Sequence, residues 1–476
     1  MDNSRTSLDY DLVVIGGGPG GYVAAIRAAR KGAKVALVEK EAIGGVCLNW
    51  GCIPTKAMIH SAELFHKVQD ASKFGINIEG QVSIDLPSVI KRKDRIVRRL
   101  VKGIEVLLEN EEIDIYNGMG FLNKPGQVQV KLAEDQEKIL QSENIIIATG
   151  SKTANLPISG TELPGVITSR DALDLEELPE KMVVIGGGVI GMEFAFLYAN
   201  MGVEVTVIEF QDSIVPDADN DITDELAKLA RNKKINIHTS SQAKKIAETE
   251  GRNNNMLVAF EEEGQEKYVI TDKVLIAVGR LPNLPGIDPE ALGLELNERR
   301  GGIKVDDQMK TSVDGIYAIG DVTDKVMLAH VASHQGIVAA DNITGSEHRM
   351  DYKAVPSAIF TDPEVATVGM SEKDAKEAGI DYVVGRFPFS ANGKVMAMGE
   401  RRGFVKIIKE EETGQVIGAG IIGLHATDLI ASLTLAVNRN LTAHEIAETI
   451  HAHPTTAEVI HEAALDTEGG AIHYSK

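Results

Sequence analysis

Apolar and polar positions along the chain fall into one pattern that occurs twice. From Asp11, "DLVVI" is a short apolar run, "YVAAIRAARKG" carries apolar residues at helical spacing without a breaker, and "KVALVEK" is a second apolar run. Three consecutive glycines join the first run to the helix, and a Gly-containing turn leads out of it. From Lys181 the order returns in "KMVVIGGGVIGMEFAFLYANMGVEVTVIEF". Runs that are apolar throughout, rather than alternating, predict strands buried on both faces of a parallel sheet, with the helix as the crossover. "NIIIATGS" (Asn144–Ser151), "KVLIAVGRLPN" (Lys273–Asn283) and "GIYAIGDV" (Gly315–Val322) predict further strands that end at glycine. "LPSVIKRKDRIVRRLVKGIEVLLEN" predicts an amphipathic helix whose Lys and Arg residues form a solvated face. From Asp351 onward the texture changes to strands ("AIFTDPEVATVGM", "GFVKIIKE", "VIGAGIIG") followed by helices, an α+β module.

The two copies share a register. Gly16, Gly18, Gly21 and Glu39 recur 170 positions later as Gly186, Gly188, Gly191 and Glu209. In a Gly-x-Gly-x-x-Gly turn the glycines permit a tight turn, close approach to a pyrophosphate and tight helix–strand packing. The helix N-terminus then offers free N–H groups and the positive end of its dipole. Each glutamate closes the second strand, where its carboxylate accepts from both ribose hydroxyls. One such turn is a weak signal, but two complete copies predict two dinucleotide sites and electron transfer between them. Asp321 lies at the C-terminal end of an apolar run, where ligands of open α/β sheets bind.

Charge narrows the class. With 49 basic and 70 acidic residues the net charge is −21, which disfavours nucleic-acid and anionic-membrane partners. No apolar run approaches the ~18 residues of a membrane helix, and "MDNSRTSLDYD" has neither an apolar signal core nor an Arg-rich presequence. A cytoplasmic protein is expected.

The only cysteines, Cys47 and Cys52, lie in "GGVCLNWGCIPTK". As a staple closing so short a loop, a bridge contributes roughly 2 kcal/mol, which a chain of this length hardly needs. As zinc ligands they lack a second Cys or His pair at customary spacing. As a redox pair they fit: Pro54 suits the first turn of a helix, and a helix N-terminus and Lys56 both favour thiolate.

These motifs together, in this order and spacing, resemble the flavin-dependent pyridine nucleotide–disulfide oxidoreductases over nearly the whole length. The resemblance rests on both fingerprints, the cysteine segment, "ATG" (Ala148–Gly150), "AVGRLPN", "AIGD" and "HAHPTTAE" (His451–Glu458). It implies an α/β fold of two Rossmann-like domains, for FAD and NAD, plus a C-terminal α+β dimerisation domain. The expected boundaries are 1–152 for the FAD domain with its redox disulfide, 153–280 for the NAD domain, 281–350 for a central domain completing the FAD site, and 351–476 for the interface domain. It implies that Lys56 lies beside the flavin ring, that Asp321 meets its ribityl chain, and that Thr149 and Gly150 belong to the FAD site. Gly120, within "GMGFL", meets the adenine, and Ala329, within "MLAH", lines the flavin. Gly279 joins the NAD site, and Glu193 sits near the nicotinamide, where it can pair with Lys56. His453 is the implied base and Glu458 its orienting partner. His451 and His461 leave a minor metal reading open, but no metal is expected; His444 is a surface helix residue.

Glu209 repels a 2′-phosphate and "FQDSIVPD" offers no Arg or Lys to hold one, so NAD is favoured over NADP. Within the family the resemblance is to the branch that oxidises protein-bound dihydrolipoamide to lipoamide. The implied assembly is a homodimer serving 2-oxoacid dehydrogenase or glycine-cleavage complexes, with a lipoyl domain as partner. Val46 stands where many relatives have threonine, and neither it nor Trp50 is a reacting group. Two rival readings are a reductase of another disulfide or a quinone, and a flavoprotein valued chiefly as a docking component.

Overall fold

The computed structural model describes residues 8–249 and 255–475. Residues 1–7, over which most of the leader reading runs, lie outside the described residues. The described chain opens with β1 (Tyr10–Ile15), α1 (Pro19–Arg30), β2 (Val35–Glu39), the short α2 (Gly45–Trp50) and α3 (Cys52–Gln69). Then follow α4 (Leu86–Asn110), β3 (Asp114–Lys124), β4 (Gln127–Leu132) and β5 (Glu137–Ile147). Contacts divide the whole into two compact units.

The first unit takes the residues up to Met58, Pro87–Asn155 and Gly279–Asp351. β1 pairs in parallel with β2 on one side and β5 on the other; β3 extends the sheet beyond β2, and Ile316–Ala318 extends it beyond β5. β3 and β5 outrun the parallel sheet and are joined there through antiparallel β4. The apolar runs read from the sequence are the core: Val13, Ile15, Val38, Ile145, Ile147 and Ile316 bury together. α1 crosses over beside the helix Ala329–Ile343. Asp341 of that helix is buried and takes Arg27 Nε (2.7 Å) from α1 and Lys31 Nζ (2.9 Å) from its C-cap. Burial acts against its charge, but these cations and His348 hold its carboxyl well below the usual range.

The second unit takes Ile59–Leu86, Leu156–Val278 and the chain from Tyr352 onward. Its parallel sheet runs Asn236–His238, Glu204–Ile208, Lys181–Ile185, Lys273–Ile276, Val166–Thr168, the same strand–helix–strand plan as the first unit. A three-stranded meander, Ser241–Glu248, Met256–Glu262 and Gln265–Thr271, sits in the crossover. The C-terminal part is a five-stranded antiparallel sheet carrying the helices Ala426–Arg439 and Glu458–Asp466, with Phe387, Phe389 and Val405 in its core. Lys406, wholly buried, reaches Asp219 (2.6 Å), Asp221 (2.8 Å) and Glu372 (2.9 Å). Those three carboxylates are near enough to one another to suggest a metal, but the ammonium already fills their centre. Among the described residues no helix is long and apolar enough to cross a membrane.

Candidate active site

The first cradle is built where β1 turns into α1. Gly16 has φ +109°, and a Cβ there would stand 2.3 Å from the Ala148 carbonyl oxygen, so only glycine fits. Gly21 packs as tightly, its absent Cβ falling 1.8 Å from the Gly16 oxygen. Gly18 is the N-cap of α1 and has no atom within 4 Å of its would-be side chain, so the helix end is open to a ligand. Glu39, the last residue of β2, is buried; its Oε2 accepts from Gly17 N (2.7 Å) and its Oε1 from Glu41 N (2.8 Å). A carboxylate has about four acceptor sites, so two remain for a ribose. Just past β5, Thr149 Oγ1 is buried without a hydrogen-bond partner among the described residues, and Gly150 beside it opens on space. An orphan hydroxyl next to an open helix end suits a dinucleotide such as FAD. Gly120 lies on β3 against Ile15, and Ala329 begins the helix Ala329–Ile343.

The cysteines belong to the same unit. Cys47 sits in α2, Cys52 is the first residue of α3, and Lys56 follows about one turn along. The pair is a dithiol whose sulfurs are hydrogen-bonded to one another. That hydrogen bond first, and then burial, pushes the Cys47 thiol up; the nearby Lys56 charge only partly offsets them. Cys52, at a helix start, meets the positive end of the dipole. The helix start therefore favours a thiolate on Cys52.

Close by in this unit, Arg280 donates from Nε to Ser151 Oγ (2.7 Å) and from Nη2 to Ser151 O (2.8 Å), and Ser151 Oγ donates to Asp321 Oδ2 (2.5 Å). Burial pushes the Asp321 carboxyl up, and Ser151 and Arg280 restrain it. Burial likewise lowers Arg280, against the charges of Asp321 and Cys52.

The second cradle repeats the first. Gly186 has φ +108°, with a would-be Cβ 2.5 Å from the Ala277 oxygen; that of Gly191 falls 1.9 Å from the Gly186 oxygen. Gly188 caps the helix Val189–Asn200 and Gly279 follows the strand Lys273–Ile276, and both glycines open on space. Glu209 accepts from Gly187 N (2.5 Å) and Gln211 N (2.7 Å), the counterparts of Gly17 and Glu41. Glu193, buried in that helix, accepts from Phe360 N (3.0 Å).

In the C-terminal part of the second unit, His453 Nδ1 and Glu458 Oε1 are 2.8 Å apart, and Thr455 N donates to Glu458 Oε2 (2.9 Å). Burial raises the Glu458 carboxyl, but Thr455 and His453 outweigh it, so the group is lowered and ionised at neutral pH. An ionised carboxylate only accepts, so the proton sits on Nδ1 and the lone pair on Nε2. With its side chain 80% exposed, His453 can take a proton from a substrate through that lone pair. His451 and His461 have ring centroids 5.3 Å apart, each with one nitrogen against a backbone carbonyl oxygen, Thr449 O and Ala447 O.

Two cradles, a dithiol and a histidine–carboxylate pair have a counterpart among known proteins. A family model described as pyridine nucleotide-disulphide oxidoreductase matches residues 10–336, and one for its dimerisation domain matches residues 355–464. The chain belongs to this family. It is 42% identical over 470 residues to a dihydrolipoyl dehydrogenase of Bacillus subtilis, covering 98% of each chain. It is 44% identical over 463 residues to one of Chlamydia muridarum, covering 96% of each. Among solved structures it is similar to LpdA of Mycobacterium tuberculosis, with TM-score 0.88, 29% identity, and 95% and 99% of the two chains covered. It is also similar to the HOCl-induced flavoprotein disulfide reductase RclA of Escherichia coli, with TM-score 0.85, 30% identity, and 96% and 99% covered in the copper complex. As a pyridine nucleotide–disulfide oxidoreductase the chain uses FAD and NAD(H). Ser151 and Arg280 of this family member were not singled out in the sequence. Each stands beside a quoted motif, but only folding brings residues 151, 280 and 321 together.

Proposed function

We propose that this oxidoreductase is a dihydrolipoamide dehydrogenase: protein-bound dihydrolipoamide and NAD⁺ become lipoamide, NADH and a proton. The observation that carries the reading is a thiol pair, Cys47 in α2 and Cys52 at the start of α3, in a unit that also carries a dinucleotide cradle. His453 takes a proton from one substrate thiol, and Glu458 stabilises the imidazolium. The substrate thiolate attacks Cys47 of the oxidised pair; the Cys47–Cys52 bond breaks and its electrons leave on Cys52, the sulfur favoured as thiolate. The second substrate sulfur then attacks the first, closes the lipoamide ring and expels Cys47, which recovers a proton. Gly16, Gly18, Gly21, Glu39, Lys56, Gly120, Thr149, Gly150, Asp321 and Ala329 hold FAD, which supplies a two-electron relay between the reduced cysteines and NAD⁺. Gly186, Gly188, Gly191, Glu193, Glu209 and Gly279 hold NAD⁺, and the Glu209 carboxylate repels a 2′-phosphate.

The enzyme works in the cytoplasm as a homodimer, on the lipoyl domain of a dihydrolipoamide acyltransferase or a glycine-cleavage carrier protein. Its similarity to RclA keeps one alternative in the assay, reduction of another disulfide. The test compares NADH formation from dihydrolipoamide with NADPH oxidation by glutathione disulfide. Turnover of the first at least a hundredfold faster is expected, with loss of more than a thousandfold in Cys47→Ser. Faster turnover of the second would overturn the reading.

A further inference from the structure

α4 has no part in either cradle, yet its charge pattern is unlike the rest of the chain. Its 25 residues hold seven basic and three acidic side chains in a protein of net charge −21. Lys91, Arg92, Arg95, Arg98, Arg99 and Lys102 are all exposed. At 100° per residue they fall within about a third of the helix circumference. Ile104 and Leu108 are buried on the other side. Among the described residues no carboxylate pairs with Lys91, Arg95 or Arg99, and Arg98 reaches only the Asp94 carbonyl. At the far end of the stripe Lys102 meets the acids Glu105 (3.3 Å) and Glu109 (3.8 Å). Like charges at one-turn spacing repel one another on a helix, so Lys91, Arg95 and Arg99 together are a local cost to folding.

The row is placed near the chemistry. Arg92 Nη1 donates to Ala57 O (2.9 Å), which ties α4 to the helix that begins at Cys52. From Arg92 the stripe runs about 15 Å to Lys102 at 1.5 Å per residue. Its partner is not the dihydrolipoyl group, which is uncharged, and the nucleotide phosphates have cradles of their own. What remains is the body that carries the dihydrolipoyl arm to the thiols. A compact acidic protein meets the row with complementary charge, whereas a nucleic acid, an extended polyanion, meets the repulsion of the whole acidic chain.

We infer that the exposed Lys91–Lys102 face of α4 is the docking surface for an acidic carrier domain bearing the dihydrolipoyl group. This rests on the proposed dihydrolipoamide oxidation and adds the charge of the carrier and the place where it docks. Attraction between the row and an acidic surface raises the encounter rate, falls with salt, and leaves the chemistry of the bound arm unchanged.

The experiment uses the FAD-loaded dimer and the variant Arg95→Glu/Arg99→Glu. The probes are free dihydrolipoamide and a chemically reduced, purified lipoyl domain of net negative charge. For the wild type, kcat/KM on the acidic domain should fall about tenfold or more between about 20 and about 300 mM salt, as the Debye length shrinks. The variant should show KM for the domain raised about tenfold, unchanged kcat, little salt dependence, and unaltered kinetics on free dihydrolipoamide. A more conservative Arg95→Lys/Arg99→Lys variant should behave as wild type.

Equal losses on both substrates would place these residues in the thiol site instead, and no loss on either would make the face merely solvated; both overturn the inference. A changed oligomeric state in the variant would assign the face to a second copy of the chain. Tight binding of wild type, but not variant, to a short RNA would assign it to nucleic acid. Failure of the wild type to oxidise free dihydrolipoamide would instead overturn the function on which the inference rests.

Discussion

Single side chains carry more than one task here, and the second is often invisible in the sequence. Glu39 and Glu209 were legible as ribose acceptors because each ends an apolar strand behind a glycine turn. Folding adds that both oxygens of each already hold a backbone N–H, so the carboxylate is oriented before any nucleotide arrives. Glu63 is the opposite case, since nothing in its local sequence marks it. In the fold, burial first and then the negative charge of Asp362 push its carboxyl up to about 7; Glu364 adds to this, while Lys67 and Lys233 oppose it. Asp362, itself partly buried, is held down at about 2 by Arg402 and Lys233. An unfolded glutamate titrates near 4.5, so the folded state binds this proton more tightly. Glu63 therefore takes stability away as pH rises from about 4.5 through about 7, and leaves it unaffected below that window. Glu63→Gln should melt at a higher temperature than wild type at pH 8 and at nearly the same temperature at pH 4.5. Equal melting shifts at both pH values would show that the effect is packing and not charge.

At the scale of elements, the strand–glycine–helix unit is where local sequence and fold agree best. Glycine is required twice within each turn, at Gly16 and Gly21 and again at Gly186 and Gly191, because a Cβ would overlap a backbone oxygen. The same defect placed in either copy should have different outcomes. Gly16→Ala should purify with little flavin and lose all activity. Gly186→Ala should keep its yellow colour and dithiol content, yet show an NAD KM raised more than tenfold. Flavin absorbance and NADH formation check both, and loss of flavin from Gly186→Ala would break the separation of the two cradles. Other elements were legible only in part. α4 was foreseen as amphipathic, with its basic side as ordinary solvated surface. The lysine at the centre of the Asp219–Asp221–Glu372 cluster was not foreseen, because nothing in the strand "GFVKIIKE" marks Lys406 as buried.

For the whole molecule, the thiols and the histidine lie about 400 residues apart in the chain, in separate units, and the C-terminal part of the second unit matches a dimerisation domain. We propose that in the homodimer each site combines the cysteines of one subunit with the base of the other. Mixing Cys47→Ser chains with His453→Ala chains, each nearly inactive alone, should restore activity towards half of the wild-type value per mixed dimer. No recovery, with mixed dimers demonstrated by mass spectrometry, would place both groups within one subunit. By itself the sequence determined the two dinucleotide turns, the glutamates that close them, the thiol pair and the α+β tail. Each of these is written in neighbouring residues, through apolar periodicity, glycine spacing and helix-start chemistry. Only the tertiary structure decided the Arg280–Ser151–Asp321 chain, the buried Lys406 and the raised Glu63. Those depend on burial and on charges brought close from distant parts of the chain, and neither quantity exists until the chain has folded.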